Sequence, residues 1–111
     1  MGKLLENYVE IVGSDVIDHL RQLAEPLQGL RVIHVNSTRE GGGVAEILHW
    51  LIPFKQELGL QASWEVITGD SGFYQCTKSF HNALQGNAVT IPESLLRAYE
   101  KTNEENADRL R

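Results

Sequence analysis

The sequence predicts an α/β fold built on one β-α-β unit with flanking helices. Three features predict it: an apolar, β-branched stretch at residues 30–36, three consecutive glycines at 41–43, and an amphipathic helical pattern that leads into a second apolar stretch at 60–68. These features follow one another directly, which predicts two parallel strands joined by a right-handed crossover. With 111 residues, 41% of them hydrophobic and 23% charged, the chain has the composition of one small globular domain.

Two helices are predicted within residues 1–29, ahead of the first strand. The first has apolar residues at helical spacing and stops at Gly13. In the second, Ser14 is the expected N-cap and Pro26 is expected to distort the last turn, because proline lacks an amide hydrogen. The apolar stripe of the second helix comprises Val16, Leu20, Leu23 and Leu27.

The central segment, residues 30–68, is predicted to form the β-α-β unit with its glycine loop. "LRVIHVN" is apolar on both faces, as in a strand that is covered on both sides. The helix that follows the glycines ends at Gly59, with a kink expected at Pro53. In "LQASWEVIT" apolar residues alternate with Ser63 and Glu65, which indicates a strand near a sheet edge.

Residues 69–111 are predicted to form a helical tail. One helix ends near Gly86, and Pro92 opens the last one, whose apolar stripe comprises Leu95, Leu96, Tyr99, Ala107 and Leu110. Only two strands are visible, so sheet edges and apolar faces would remain uncovered. We therefore expect residues 1–111 to be a single truncated domain that self-associates into a homo-oligomer.

Composition excludes several classes of function. A formal charge of −5 and a pI near 5.3 argue against a nucleic-acid partner, which would need clustered Lys and Arg. Cys76 is the single cysteine, so no internal disulfide and no thiolate zinc site is expected, and His19 and His49 lack a second ligand at metal spacing. No cofactor is expected. Charges at Lys3, Glu6 and Glu10 argue against a signal peptide or a membrane span, so a cytoplasmic location is expected.

The three glycines are the strongest functional signal. The first amides of a helix are unpaired and lie at the positive end of its dipole, and glycine lets an anion or a sugar hydroxyl approach them. The motif is neither G-x-G-x-x-G, since Glu46 stands three positions after Gly43, nor a P-loop. On local evidence, a tight strand-to-helix connection without a ligand remains an equal alternative.

Longer stretches resemble a known enzyme family. "GGGVAEILHWLIPFKQELGLQASWEVIT" resembles the first βα unit of family 4 glycosyltransferases of the GT-B type. More specifically, "VIHVNSTREGGGVAEILHWLIP", "WEVITGD" and "FYQCTKSFHNALQG" are similar to the start of trehalose synthases of the glycosyltransferring kind, over roughly residues 8–111. The resemblance implies part of the N-terminal Rossmann-like domain of a GT-B enzyme. It also implies retaining glucosyl transfer between a nucleoside-diphosphate glucose and glucose, to form trehalose, or the reverse.

The resemblance also implies a set of substrate-binding residues. Gly42 and Gly43 would lie near the donor phosphates and the transferred sugar, and Gly41 and Val44 are expected to bind substrate with them, as parts of the same glycine turn. Independently of the resemblance, Arg39 and Glu40 could reach a ligand from the loop, or could equally pair with each other at the surface. His81 and Asn82 of "KSFHNALQG" would meet sugar hydroxyls, the alternative being a solvated helix face.

No catalytic residue is assigned, because the family's second domain, which surrounds the leaving group, has no counterpart in these 111 residues. The chain alone is therefore expected to be inactive. Two other hypotheses remain open: a segment of a trehalose phosphorylase-type enzyme, and a non-enzymatic, self-associating α/β module. His34, within the first strand, is expected to be structural.

Overall fold

A computed structural model describes residues 3–111 and confirms an α/β chain with two strands and five α-helices in that range. The described residues form two compact units that meet in sequence at Val66 and Ile67. The first contains α1 (Leu4–Val12), α2 (Ser14–Ala24), a 3₁₀ turn (Glu25–Leu27), β1 (Arg31–Asn36), α3 (Gly43–Glu57) and β2 (Gln61–Val66). The second contains α4 (Ser71–Leu84) and α5 (Glu93–Leu110).

The two strands pair in parallel, as the β-α-β pattern predicts. Their register runs from Arg31 opposite Gln61 to Asn36 opposite Val66. Paired residues of neighbouring strands share a face of the sheet, so Val32 lies on the same face as Ala62. Ala62 is buried together with Leu48 and Ile52 of α3, and these three residues form a hydrophobic core cluster. Helix α3 therefore covers the even-numbered face of the sheet.

The other face of β1 is not covered, so the prediction of burial on both sides is wrong for the described residues. Ile33 and Val35 are 46% and 49% exposed, whereas Val32 and His34 on the α3 side are half-buried. The physical reason is that the apolar core assembles on the α3 side, around Ala62. The alternation of burial along β1 is that of a half-buried strand, despite its two apolar faces.

Helix α1 is fixed to α3 by a contact between distant parts of the sequence. The Glu57 carboxylate accepts hydrogen bonds from the Leu4 amide at 2.9 Å and from the Leu5 amide at 3.3 Å. These amides belong to the first turn of α1, which has no side-chain N-cap of its own. The ring of Tyr8 also packs edge to face on Phe54, with 5.6 Å between centroids.

Helix α2 differs from its prediction in its cap and in its buried face. Ser14 is the first helical residue and does not cap, because Gly13 occupies the N-cap position with φ 88°. The buried side chains are Ile17 and Ala24, while Val16 and Leu23 of the predicted stripe are 45% and 56% exposed. The contact face is rotated by about one residue, or 100°, from the predicted stripe. The 3₁₀ turn that contains Pro26 confirms the distorted last turn.

In the second unit, α4 packs on α5. The Asp70 carboxylate caps α4 by accepting from the Phe73 amide at 2.9 Å, and Phe73 stacks on Tyr99 of α5 with 5.7 Å between ring centroids. Pro92 precedes α5 as predicted. The predicted stripe of α5 is wrong at Leu96 and Ala107, which are exposed.

The buried residues in the C-terminal half of α5 are Thr102 and Asn106. Asn106 is accommodated because its amide group is fully bonded: its Nδ2 donates to the carbonyls of Thr68 and Thr102, and its Oδ1 accepts from the Thr68 amide. Within residues 3–111, none of the helices combines the length and the apolar character needed to cross a membrane.

Candidate functional site

The glycine loop, residues 37–42, connects the end of β1 at Asn36 to the start of α3 at Gly43. The glycine turn lies where this loop meets the helix. Gly41 has φ 77° and Gly42 has φ 84° with ψ 158°. Side chains rarely adopt these conformations, so the course of the backbone explains two of the three glycines. Gly43 is the first residue of α3 and has no positive φ, so the backbone alone does not require glycine there.

The N-terminus of α3 is open in front of the glycines. Gly42 occupies the N-cap position and offers no side chain, and its carbonyl accepts from the Glu46 amide at 3.3 Å. Helix geometry leaves the amides of Gly43, Val44 and Ala45 without a partner inside the helix. A Cβ built on any of the three glycines would meet nothing within 4 Å. This arrangement can accept an anion or a sugar oxygen at the positive end of the helix dipole.

The first half of the loop is braced by its own polar side chains. The Asn36 Nδ2 donates to the Thr38 carbonyl at 2.6 Å. The Thr38 hydroxyl accepts from the Glu40 amide at 3.1 Å and donates to the Glu40 carbonyl at 2.6 Å. These bonds hold the chain between the strand and Gly41 in a defined turn, because they satisfy main-chain groups that the sheet no longer pairs.

Arg39 does not form the surface pair with Glu40 that the sequence left open. Its Nη2 donates to the Trp64 carbonyl at 3.1 Å, and its guanidinium carbon lies 5.1 Å from the centroid of the Trp64 ring. The Arg39 carbonyl accepts from the His49 Nε2 at 2.8 Å. Arg39 is therefore held by β2 and α3, and it brings a positive charge to the glycine loop.

Three residues that bind the loop were missed by the sequence-based set: Asn36, His49 and Trp64. The Trp64 Nε1 donates to the Asn36 Oδ1 at 2.6 Å, and the His49 and Trp64 rings lie 4.9 Å apart, edge to face. Part of this grouping was predictable. Two parallel strands end at the same edge of the sheet, which places Trp64 near the loop that follows Asn36.

His81 and Asn82 lie in the second unit, whereas the other predicted site residues lie in the first. Both belong to the last turn of α4, where their carbonyls accept from the Gln85 amide, each at 3.2 Å. The His81 side chain is exposed and the Asn82 side chain is half-buried. Their contact with sugar hydroxyls stays a prediction.

The electrostatics of the described residues do not indicate a metal centre. Residues 3–111 contain no group of three or more His, Cys, Asp or Glu side chains that could hold a metal ion. The pKa of His34 is lowered below the ordinary 6.5, first by burial and then by the charge of Lys55. The Lys55 Nζ lies 3.0 Å from the His34 Nε2, so the ammonium donates to a neutral ring. The structural role expected of His34 stays a prediction.

The chain is an α/β protein in which a parallel strand leads through an open glycine turn into a helix. The amides at the positive end of the dipole of that helix can accept an anion. Residues 34–111 match the family described as "Trehalose synthase, N-terminal domain", a range that begins in β1 and includes the whole glycine loop. The chain belongs to this family. The resemblance to trehalose synthases that was identified from "VIHVNSTREGGGVAEILHWLIP", "WEVITGD" and "FYQCTKSFHNALQG" is thereby confirmed.

Curated relatives agree with this assignment. The chain is 46% identical over 108 residues to trehalose synthase of Thermococcus litoralis, which covers 96% of this chain and 26% of the relative. It is 40% identical over 108 residues to trehalose synthase of Rubrobacter xylanophilus, covering 97% of this chain and 26% of that protein. Trehalose phosphorylase of Pleurotus pulmonarius is 36% identical over 87 residues, covering 77% of this chain and 12% of the relative. The chain thus spans about a quarter of the length of the trehalose synthases that it matches.

Proposed function

We propose that this chain forms part of the N-terminal domain of a retaining GT-B glucosyltransferase, which makes trehalose from a nucleoside-diphosphate glucose and glucose. The glycine turn, Gly41 to Gly43 with Val44, would lie at the donor phosphates and the transferred sugar. Family membership supports the enzyme class, and the geometry of the turn supports the role of the loop. The observation that carries the proposal is the open space in front of all three glycines.

The proposed role of the turn is electrostatic. When the bond between glucose and the diphosphate breaks, negative charge grows on the departing phosphate oxygen. Preorganised amides and a helix dipole stabilise such charge without having to reorganise during the reaction. Arg39 adds a positive charge beside the same loop, 5.1 Å above the Trp64 ring. The first unit would therefore supply one wall of the donor site.

The proposal assigns nucleotide binding and assistance of the leaving group to the rest of such an enzyme. Because the chain spans about a quarter of its synthase relatives, the groups that bind the nucleotide and assist the leaving group would lie in other parts of the protein. We expect the 111-residue chain alone to bind a donor weakly and to show no glucosyl transfer. A coupled assay for nucleoside diphosphate release, with glucose as acceptor, tests this expectation, and clear turnover by the purified chain would contradict it.

Binding by the glycine turn is tested with Gly43→Val. Gly43 has no positive φ and has room for a side chain, so this variant should fold, while its methyl groups would obstruct the open amides. Losing a hydrogen bond to a charged phosphate costs about 1.5–3 kcal/mol, which weakens binding by a factor of about 10 to 150. Calorimetric or NMR titration with ADP-glucose, UDP-glucose and GDP-glucose would measure the change.

The matched control is Ser14→Val, at the first position of α2, where the side chain is exposed and does not cap the helix. The control should bind each donor as the wild type does. Equal affinities of the wild type and Gly43→Val for every donor would remove the glycine turn from the site.

His81 and Asn82 are proposed to bind sugar hydroxyls at the end of α4. Alanine at either position should weaken trehalose or glucose binding, whereas Gln75→Ala, an exposed amide elsewhere on α4, should not. Unchanged sugar binding in both variants would leave these residues as an ordinary polar helix end.

A trehalose phosphorylase-type reaction is a second candidate, which the 36% identity to the Pleurotus pulmonarius protein supports. The identity to the synthases is higher and extends over more of this chain, which favours the nucleotide-dependent reaction. A competition titration decides between the two reactions. If the reaction depends on a nucleotide, a nucleoside-diphosphate glucose should displace inorganic phosphate from the glycine turn. Phosphate binding that no sugar nucleotide displaces would favour phosphorolysis.

A self-associating module is the third candidate, and exposed apolar surface supports it. An apolar groove of about 390 Å³ lies between α1, α2 and α3, and Ile47 and Trp50 at its rim are 61% and 62% exposed. Exposed surface of this kind is typical of association sites. Sedimentation velocity on the wild type and on Trp50→Glu tests it. A wild-type dimer that this substitution dissociates would support association, and a monomer at high micromolar concentration would exclude it.

A further inference from the structure

The glycine loop is held from outside by Trp64, a residue of the neighbouring strand β2. The Trp64 Nε1 donates to the Asn36 Oδ1 at 2.6 Å, where β1 ends and the loop begins. The carbonyl of Trp64 accepts from the Arg39 Nη2 at 3.1 Å, and its ring lies beneath the Arg39 guanidinium. One residue of β2 is therefore in contact with two separate points along the loop.

His49, two turns into α3, completes this arrangement. Its Nε2 donates to the Arg39 carbonyl at 2.8 Å, and its ring packs edge to face against Trp64 with 4.9 Å between the centroids. One indole ring is thus in contact with the end of β1, the middle of the loop and the first part of α3. His49 is exposed, so packing in the core does not account for its orientation.

We propose that Trp64 and His49 are positioning residues, which fix the glycine loop in the conformation that accepts a ligand. This inference rests on the proposed function of the loop. Glycine has the largest conformational entropy of any residue, so a turn with three glycines samples many states unless other contacts restrict it. Trp64 and His49 act through Asn36 and through the main chain of Arg39.

Mutation of His49 tests the proposal without disturbing the core. In His49→Ala the donor to the Arg39 carbonyl is lost, and we expect the ¹⁵N heteronuclear NOE of the amides of residues 39–43 to fall. In His49→Gln a side-chain amide can donate to the same carbonyl, and the NOE values should return towards those of the wild type. His19→Ala, which removes an exposed histidine of α2, is the matched control and should leave the loop unchanged.

Mutation of Trp64 separates its two side-chain contacts with the loop and leaves the hydrogen bond from Arg39 to the Trp64 main-chain carbonyl in place. Trp64→Phe keeps a ring beneath Arg39 but loses the indole donor to Asn36, and Trp64→Leu loses both. The NOE values of residues 39–43 should therefore decrease in that order. If the ordered loop falls to about a tenth of the population, the apparent Kd for a nucleoside-diphosphate glucose rises about tenfold. Trp50→Leu, on the exposed side of α3, is the matched control for loss of an indole.

The outcomes distinguish this inference from the proposed function. If the wild type binds no sugar nucleotide, the proposed ligand is wrong, while the NOE values still decide whether Trp64 and His49 order the loop. Loop NOE values unchanged in both His49→Ala and Trp64→Leu would overturn the inference, as would a failure of His49→Gln to restore them. A loosened loop with wild-type affinity would also overturn it, because positioning would then have no effect on binding.

Discussion

Gly42 and Gly43 offer a matched pair of alanine substitutions that tests why the turn contains glycine. Gly42 has φ 84° and ψ 158°, a conformation almost exclusive to glycine, and the strain of placing another residue there is about 1–3 kcal/mol. Alanine also restricts the unfolded chain, which offsets about 0.4–1 kcal/mol of this strain. We therefore expect Gly42→Ala to lower the free energy of unfolding of the first unit by about 1–2 kcal/mol.

Gly43→Ala should have the opposite effect, although the two positions are adjacent. Gly43 begins α3 without a positive φ, and a Cβ there would meet nothing within 4 Å. Without backbone strain, the only remaining effect of alanine is the smaller conformational entropy of the unfolded chain. The free energy of unfolding should therefore rise by about 0.4–1 kcal/mol. The two variants should differ by about 1.5–3 kcal/mol.

Urea denaturation monitored by tryptophan fluorescence is the appropriate assay. Trp50 and Trp64 are the only tryptophans, and both lie in the first unit, so the signal reports the unit that contains the glycine turn. Linear extrapolation gives the free energy of unfolding of each variant. If Gly42→Ala matched the wild type, or Gly43→Ala were the less stable of the two, the conformational reasoning would be refuted.

Three further predictions concern stability and accessibility. Because folding lowers the pKa of His34 below 6.5, the unfolded chain binds its proton more readily. The contribution of His34 to the stability of the first unit should therefore be fully present above about pH 6.5 and decline below it. In pH-dependent urea denaturation, His34→Gln should remove this part of the decline. Asn106→Ala removes three hydrogen bonds around Thr68 and Thr102, so the free energy of unfolding of the second unit should fall by about 1–3 kcal/mol. Urea denaturation followed by helical circular dichroism measures this change. Cys76 has 0% exposure, so a thiol-reactive dye should label it only after unfolding.

Each of these predictions has a control or a contradicting result. A pH dependence that is identical in the wild type and His34→Gln would assign the decline to other groups. Asn103→Ala, on the exposed side of α5, should change the free energy of unfolding by less than about 0.5 kcal/mol, and an equal effect at both asparagines would contradict the assigned hydrogen bonds. Rapid labelling of Cys76 under native conditions would show that the second unit opens readily.

The sequence predicted elements well and buried faces less well. The stop at Gly13, the distorted turn at Pro26 and the helix start after Pro92 were all predictable, because glycine and proline act on their own backbone. The contact face of α2 was not, since Val16 and Ile17 are equally apolar and only the position of the neighbouring helices decides which of them is buried.

The candidate site was predictable in part for the same reason. The glycine turn is a local feature, and Gly41 and Gly42 have the backbone conformations that such a turn requires. The partners of Arg39 were not predictable from local pattern, because Trp64 is 25 residues away and competes with the adjacent Glu40. The parallel register brings the two residues together.

By itself, the sequence determined the order of helices and strands, the glycine turn and the family. The elements and the turn depend on periodicity and on backbone preferences that each residue carries with it, whereas the family was identified from the resemblance of longer stretches to trehalose synthases. Tertiary structure alone decided that Glu57 caps α1 across 53 residues, that Asn106 is buried against Thr68, and that Trp64 holds the glycine loop. A hydrogen bond between distant residues depends on how whole elements pack, and a polar side chain carries no local signal of which distant group it will meet.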